Sequence, residues 1–140
     1  MARPTSFRLT KELLQRLGDE AAARRMSTSA LVVTLLDEGL KTSRFPGIVH
    51  RDGPTGRRAG LAGGPDVWEI IRAIKEVPGE GERRVRTLAK QLGVPPERIR
   101  LALDFYSELP GEIDARIAAD ERAAAQLRAL IDRRERLLAM

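Results

Sequence analysis

The chain has 140 residues, and its 25 Lys and Arg against 20 Asp and Glu give a net charge of +5. It has no Cys and one His, which excludes disulfides, thiolate nucleophiles, Cys-ligated zinc and paired-histidine metal sites. No apolar run approaches the roughly 20 residues of a membrane span, and the N-terminus lacks the apolar region of a signal peptide. The composition therefore predicts a cytoplasmic protein with no membrane segment, metal, cofactor or catalytic site.

The excess positive charge lies entirely in the first 64 residues. Residues 1–44 carry 8 basic and 5 acidic side chains, residues 45–64 carry 3 and 1, and residues 65–140 carry 14 of each. A basic front half and a neutral rear half predict two roles. We expect the front to bind a polyanion and the rear to bind protein rather than phosphate.

An alternating pattern near the N-terminus predicts a short strand. Phe7 and Leu9 fall on one face, and Ser6 and Arg8 fall on the other. The pattern ends at Thr10, where a helix begins.

Two helices follow in the first predicted segment, residues 1–43. Thr10 supplies an N-cap for a helix to Arg25, and Ser27 supplies an N-cap for a second helix that is apolar around much of its circumference. About 40 residues are too few for an independent core. The segment is therefore predicted to dimerise.

The order and spacing of these elements resemble the ribbon-helix-helix (CopG/Arc/MetJ-like) family of DNA-binding proteins. The resemblance covers residues 4–41 and includes the string MSTSALV at 26–32, which opens the second helix. It implies an intertwined homodimer in which two strands pair into a ribbon that enters the major groove of double-stranded DNA.

The resemblance also implies roles for polar side chains. Ser6 and Arg8 would contact base edges, because Phe7 and Leu9 must face the dimer core. The predicted phosphate contacts are Arg3 and the start of the second helix, with Ser27, Thr28 and Ser29. The alternative is a solvated strand face with Ser27 as a simple cap, which leaves the apolar second helix unexplained.

Residues 44–65 form a glycine-rich hairpin or linker. Arg51, Arg57 and Arg58 are interpreted as a basic wing beside DNA or as a solvated linker. His50 is predicted to be a surface hairpin residue rather than a catalytic one, since Asp52 is the only evident carboxylate near it.

Residues 66–110 are predicted to be a helical domain with Trp68 in its core. The string LAKQLGV at 88–94 resembles a helix-turn-helix, with small residues Ala89 and Gly93 at a tight crossing. The helix from Pro96 would then face DNA or serve only for packing. Its exposed charged side chains would be Glu97, Arg98, Arg100 and Asp104.

Residues 111–140 are predicted to be a long helix for partner binding. From Pro46 to the helix ending near Ser107, with EID at 112–114 after it, the chain is similar to the small helix-turn-helix domains of VapB-type antitoxins, which implies a PIN-fold ribonuclease toxin as partner. The apolar residues expected to enter the toxin's groove are Leu127, Leu130, Ile131, Leu137 and Leu138. Arginines of the same helix would reach the toxin's carboxylates, namely Arg128, Arg133, Arg134 or Arg136. A self-associating coiled coil or packing on its own domain is the alternative.

The sequence thus predicts a mainly α protein with an N-terminal ribbon-helix-helix, a small hairpin and a C-terminal helix-turn-helix-like domain that ends in a long helix. The predicted function is transcriptional repression as the antitoxin of a toxin–antitoxin operon. A partition or architectural DNA-binding protein whose rear half recruits another protein is the alternative.

Overall fold

A computed structural model describes residues 2–53 and 56–140. Met1, Pro54 and Thr55, the last two in the middle of the predicted hairpin segment, lie outside the described residues. The chain divides into two compact units, one ending at Arg44 and the other comprising Phe45–Met140. Both are mainly helical, which confirms the mainly α class, whereas the ribbon-helix-helix and helix-turn-helix arrangements stay predictions.

Unit 1 contains two helices, α1 (Lys11–Ala23) and α2 (Thr28–Ser43). Thr10 begins α1 because its Oγ1 accepts a hydrogen bond from the N–H of Leu13 at 3.1 Å. Ser27 begins α2 in the same way, with its Oγ accepting from the N–H three residues on, also at 3.1 Å. Both predicted N-caps are confirmed.

The N-terminal segment, residues 2–10, is neither helix nor strand in the single chain. The strand predicted around Phe7 and Leu9 is therefore not formed within one copy. A strand requires a neighbour to satisfy its backbone N–H and C=O groups, and the rest of unit 1 is helices and the turns that flank them.

The turn after α1 ends the helix two residues earlier than predicted. Arg25 has a φ of 57°, in the left-handed region that glycine prefers. The N–H of Arg25 donates to the carbonyl of Ala22 (3.1 Å), and the N–H of Met26 donates to that of Ala21 (3.0 Å). This pair of bonds is a Schellman motif.

Unit 2 begins with an antiparallel hairpin of β1 (Ile48–Arg51) and β2 (Arg58–Leu61). In its register Ile48 lies opposite Leu61, and Arg51 lies opposite Arg58. Ile48, Ala59 and Leu61 are buried in the core of the unit. The hairpin is therefore part of the helical domain rather than a linker before it.

Four helices complete unit 2: α3 (Val67–Glu76), α4 (Glu82–Leu92), α5 (Pro96–Glu108) and α6 (Pro110–Leu138). Helix α3 packs against β2, α4, α5 and α6. The largest fully buried side chains of the unit are aliphatic apart from one phenylalanine: Leu61, Val67, Ile70, Ile71, Leu88, Ile99, Phe105 and Ile113. Trp68, predicted to be core, is partly buried and packs against this cluster.

Helix α6 belongs to the core only at its start. Ile113 is buried and residues up to Asp120 are mostly half-buried, whereas residues 121–138 are exposed apart from Ala124 and Ile131. At 1.5 Å per residue the exposed part is about 27 Å long. No helix in the described part of the chain combines the length and apolar character that a membrane crossing demands.

The α4–α5 pair has the order of a helix-turn-helix, but the predicted reason for Gly93 is wrong. A Cβ atom at Gly93 would meet no other atom within 4 Å, so the residue does not make room for a tight crossing. Its φ of 66° is the reason for glycine, because the turn between α4 and α5 requires the left-handed conformation.

Candidate nucleic-acid and partner interfaces

Unit 1 exposes most of its large apolar side chains. Among the described residues of the unit, Ala21 and Leu31 are the buried apolar ones. The exposed set comes from the N-terminal segment and from both helices: Phe7, Leu9, Leu13, Leu14, Val33, Leu35, Leu36 and Leu40. A surface of this composition is typical of a protein–protein interface.

Helix α2 has two apolar faces. Leu31 is buried in unit 1, where α2 packs on α1. Val33, Leu36 and Leu40 recur at spacings of three and four on another face, and Leu40 is 73% exposed. We call Val33, Leu36 and Leu40 the outer stripe of α2. A single copy of unit 1 leaves this stripe uncovered.

The predicted DNA-contacting side chains of unit 1 are accessible. Arg3, Ser6 and Arg8 are exposed in the N-terminal segment. Ser27, Thr28 and Ser29 are exposed at the start of α2. Helix N-termini present unbonded N–H groups to anions.

The three arginines predicted to form a basic wing make contacts within unit 2 instead. Arg51 donates to Oδ1 of Asp66 from Nε (3.0 Å) and from Nη2 (2.7 Å), and Arg58 forms an ion pair with the other carboxylate oxygen. Arg51 also donates to the carbonyls of Leu61 (3.2 Å) and Gly64 (2.7 Å). Asp66 is 5% exposed, so both arginines neutralise a buried carboxylate.

Arg57 is likewise used within the hairpin. It donates to Asp52 and to the backbone carbonyl of His50, each at 3.3 Å. Neither the wing nor the solvated-linker interpretation describes these three arginines. The residue in the sequence that indicates these internal contacts is Asp66, an acid at the start of α3.

His50 is not at the surface, which corrects the prediction. Its side chain is 5% exposed, and its Nε2 lies 3.1 Å from Oε1 of Glu112, in the first turn of α6. The ring of Phe105 packs edge-on at 6.4 Å between centroids. The pair joins the hairpin to α6.

The two arginines of helix α5 form hydrogen bonds with other residues of unit 2. Arg98 donates to the carbonyl of Ala62, and Arg100 forms hydrogen bonds to both carboxylate oxygens of Glu82, at 2.9 and 3.2 Å from Nε. The bond from Arg100 lowers the pKa of Glu82, and the same bond raises the pKa of Arg100. The arginines expected to face DNA from α5 are thus engaged internally.

The distal part of α6 presents the predicted partner-binding residues. Leu127, Leu130, Leu137 and Leu138 are exposed, the last at 78%, and Ile131 is partly buried. Besides the contact of Glu112 with His50, two more polar contacts fix the base of α6 to the domain. Tyr106 donates to Asp114 at 2.7 Å, and Arg72 pairs with Asp120.

No grouping of three or more His, Cys, Asp or Glu side chains suited to a metal ion occurs among residues 2–53 and 56–140. Comparison with models of known protein families, with curated proteins and with solved structures gave no match to the chain. The assignment of function therefore depends on the surfaces described above.

Proposed function

We propose that the protein is a cytoplasmic, homodimeric DNA-binding repressor and the antitoxin of a toxin–antitoxin operon. In this proposal unit 1 forms a ribbon-helix-helix dimer on operator DNA, and distal α6 binds a PIN-fold ribonuclease toxin. The observation that carries the proposal is the uncovered apolar surface of unit 1, which includes Phe7, Leu9 and the outer stripe of α2.

A second copy of unit 1 is the partner that accounts best for this surface. The N-terminal segment belongs to no sheet, yet its side chains alternate between polar and apolar from Ser6 to Leu9. Pairing of two such segments would satisfy their backbone groups and bury Phe7 and Leu9. Ser6 and Arg8 would then point away from the dimer core, toward a DNA groove.

Arg8→Ala tests the ribbon. The loss of a bidentate guanine contact is expected to weaken operator binding by about 1–3 kcal/mol and to relax the base preference at one position. The measurement is a titration of the full chain with duplex DNA from upstream of its own reading frame. Arg16→Ala, which removes one exposed cation from α1, is the matched control. Equal binding by wild-type protein and Arg8→Ala would reject the ribbon as the DNA-contacting element.

The toxin-binding part of the proposal is supported by the position of α6. An exposed helix that carries four leucines and several arginines suits an apolar groove with an acidic rim. Among residues 126–138 there are four arginines and two acids, so the distal helix is cationic although unit 2 as a whole is close to neutral.

Substitution is a better test of this helix than deletion of residues 111–140, because deletion would also remove the buried Ile113 and break the Glu112 contact with His50. We expect Leu127→Lys/Leu130→Lys to retain DNA binding and lose rescue of cells that express the protein encoded by the adjacent reading frame. Ala125→Lys/Ala129→Lys, at exposed positions outside the predicted leucine set, is the control.

Full rescue by the leucine variant would exclude distal α6 as the inhibitor. Capture of an adjacent-frame product that lacks nuclease activity would instead favour a partition or architectural role.

A further inference from the structure

Helix α4 carries a row of cations that neither the core nor the proposed function uses. Arg83, Arg86 and Lys90 are all exposed. At 100° per residue they lie within about 60° of one another around the helix. Thr87 lies in the same row, half-buried. We call Arg83, Arg86, Thr87 and Lys90 the α4 stripe.

The three cations form no close polar contact with other described residues. Over residues 2–53 and 56–140, none of them takes part in a hydrogen bond or an ion pair. Glu82, the acid of their own helix, precedes Arg86 by four residues. The hydrogen bond from Arg100 is the main cause of the lowered pKa of Glu82, and the charge of Arg86 adds to it without forming an ion pair. This contrasts with Arg84, whose guanidinium donates to the carbonyls of Ile74 and Val77.

An open groove runs beside the stripe. It has a volume of about 590 Å³ and is lined by Arg86, Thr87, Ala89, Lys90, Val94 and Pro96. Pro96 begins α5, so the groove lies where the two helices of the helix-turn-helix-like pair approach each other. Glu97, which follows Pro96, is exposed, and its charge adds to the main effect of Glu82 in raising the pKa of Arg100.

The dimensions and chemistry of the stripe fit a duplex backbone. From Arg83 to Lys90 the helix rises about 10.5 Å, and one DNA strand carries a phosphate about every 3.4 Å along the duplex axis. The stripe is therefore long enough to meet about three successive phosphates of one strand. It has no aromatic side chain, on which single-strand recognition relies.

From these observations we infer that the α4 stripe is a second DNA-binding surface, which contacts the phosphate backbone of duplex DNA without reading its sequence. It adds to the proposed function a contact made by unit 2, and it assigns that contact to α4 rather than to the expected α5. The small net charge of unit 2 does not oppose it, because most charges of α5 and the hairpin are neutralised locally.

The salt dependence of binding tests this inference. A labelled duplex of about 30 base pairs and arbitrary sequence is titrated with the full chain at several KCl concentrations, and log K is plotted against log [KCl]. Each phosphate contact contributes about 0.9 to the slope. Arg83→Gln/Arg86→Gln/Lys90→Gln is expected to reduce the slope by about 2.7 for each protomer bound.

The matched control is Arg16→Gln/Lys75→Gln/Arg122→Gln, which removes the same charge from exposed positions outside the α4 stripe, the ribbon and the predicted partner-binding residues. Its slope should stay within about 1 of the wild-type value. Thermal unfolding confirms that both variants remain folded. An unchanged slope in the α4 variant overturns the inference, and so does an equal reduction in both variants, which would indicate a long-range effect of net charge.

The Arg8→Ala variant separates this inference from the proposed function. A reduced slope in the α4 variant together with unchanged operator binding by Arg8→Ala would retain the α4 surface and reject the ribbon. The reverse pair of results would retain the ribbon and reject the α4 surface, leaving a protein partner as the occupant of the groove.

Discussion

Arg51 and Arg58 lie directly opposite each other on the two strands of the hairpin, and both bind the carboxylate of Asp66. Like charges in directly opposed positions destabilise a sheet. Here the carboxylate compensates for the repulsion, and the two guanidinium groups compensate for the burial of the carboxylate. The N–H of Trp68 donates to the same carboxylate at 3.2 Å, so Asp66 ties the hairpin to α3.

Asp66→Asn should therefore destabilise unit 2 strongly. The amide retains the shape but removes the charge that compensates Arg51 and Arg58, and the expected loss is about 3 kcal/mol in the free energy of unfolding. Denaturant unfolding followed by the fluorescence of Trp68, the only tryptophan, measures it. Asp104→Asn, at an exposed position on α5, should change stability by less than about 0.5 kcal/mol. Equal effects of the two substitutions would contradict the assigned role of Asp66.

Arg25→Gly should stabilise unit 1. Arg25 occupies the left-handed position of the turn between α1 and α2, where a side chain costs about 1 kcal/mol relative to glycine. Gly93→Ala places a side chain into the same kind of backbone conformation and should destabilise unit 2 by about 1 kcal/mol. Thermal unfolding compares the two variants, and a change of the same sign in both would refute this account of the turns.

Leu40→Glu should weaken self-association of the chain. Leu40 is the most exposed member of the outer stripe, and burial of a leucine against a second copy contributes about 1.5–3 kcal/mol. Sedimentation equilibrium should show a dimer dissociation constant raised by one order of magnitude or more. Arg16→Glu, an exposed change on α1, is the control. A wild-type chain that sediments as a monomer at micromolar concentration would contradict the dimer itself.

Asp114→Ala should lower the pKa of Tyr106. The hydroxyl of Tyr106 donates to Asp114, which raises the pKa of the tyrosine because the bond exists only in the protonated form. The contribution of this bond to stability is complete below the ordinary tyrosine pKa of about 10 and is lost as the pH rises through the raised pKa. Tyr106 is the only tyrosine, so the ultraviolet absorbance of tyrosinate reports it directly. An unchanged alkaline titration in Asp114→Ala would show that the bond does not form in solution.

Local features of the sequence predicted the helices well. The caps at Thr10 and Ser27, the break at Gly93 and the apolar periodicities all depend on residues within a few positions of each other. Long-range pairs were not predictable in this way. The contact of His50 with Glu112 joins residues 62 apart in sequence, and neither residue carries a local signal that names the other.

The candidate site residues show the same difference between local signals and long-range contacts. The structure places Arg8 and Leu138 in solvent, as their predicted roles require. It exposes Phe7 as well, so the alternation that predicted an outward-facing Arg8 is not tested by one copy of the chain. The contacts of the hairpin arginines were predicted wrongly, because the partner of Arg51 and Arg58 is set by the position of Asp66 in the folded unit. The same limit applies to charge, since the neutral sum over residues 65–140 conceals the unpaired cations of α4.

Helix α6 is anchored at its base and unsupported beyond Asp120. Its distal turns can open by local fraying without disturbing Ile113 or the rest of the core, since few contacts oppose it there. Within unit 2, a protease would thus find its first cleavage sites among residues 121–138 while the core stays folded. Cleavage there removes the leucines predicted to bind a partner and leaves the proposed α4 surface intact.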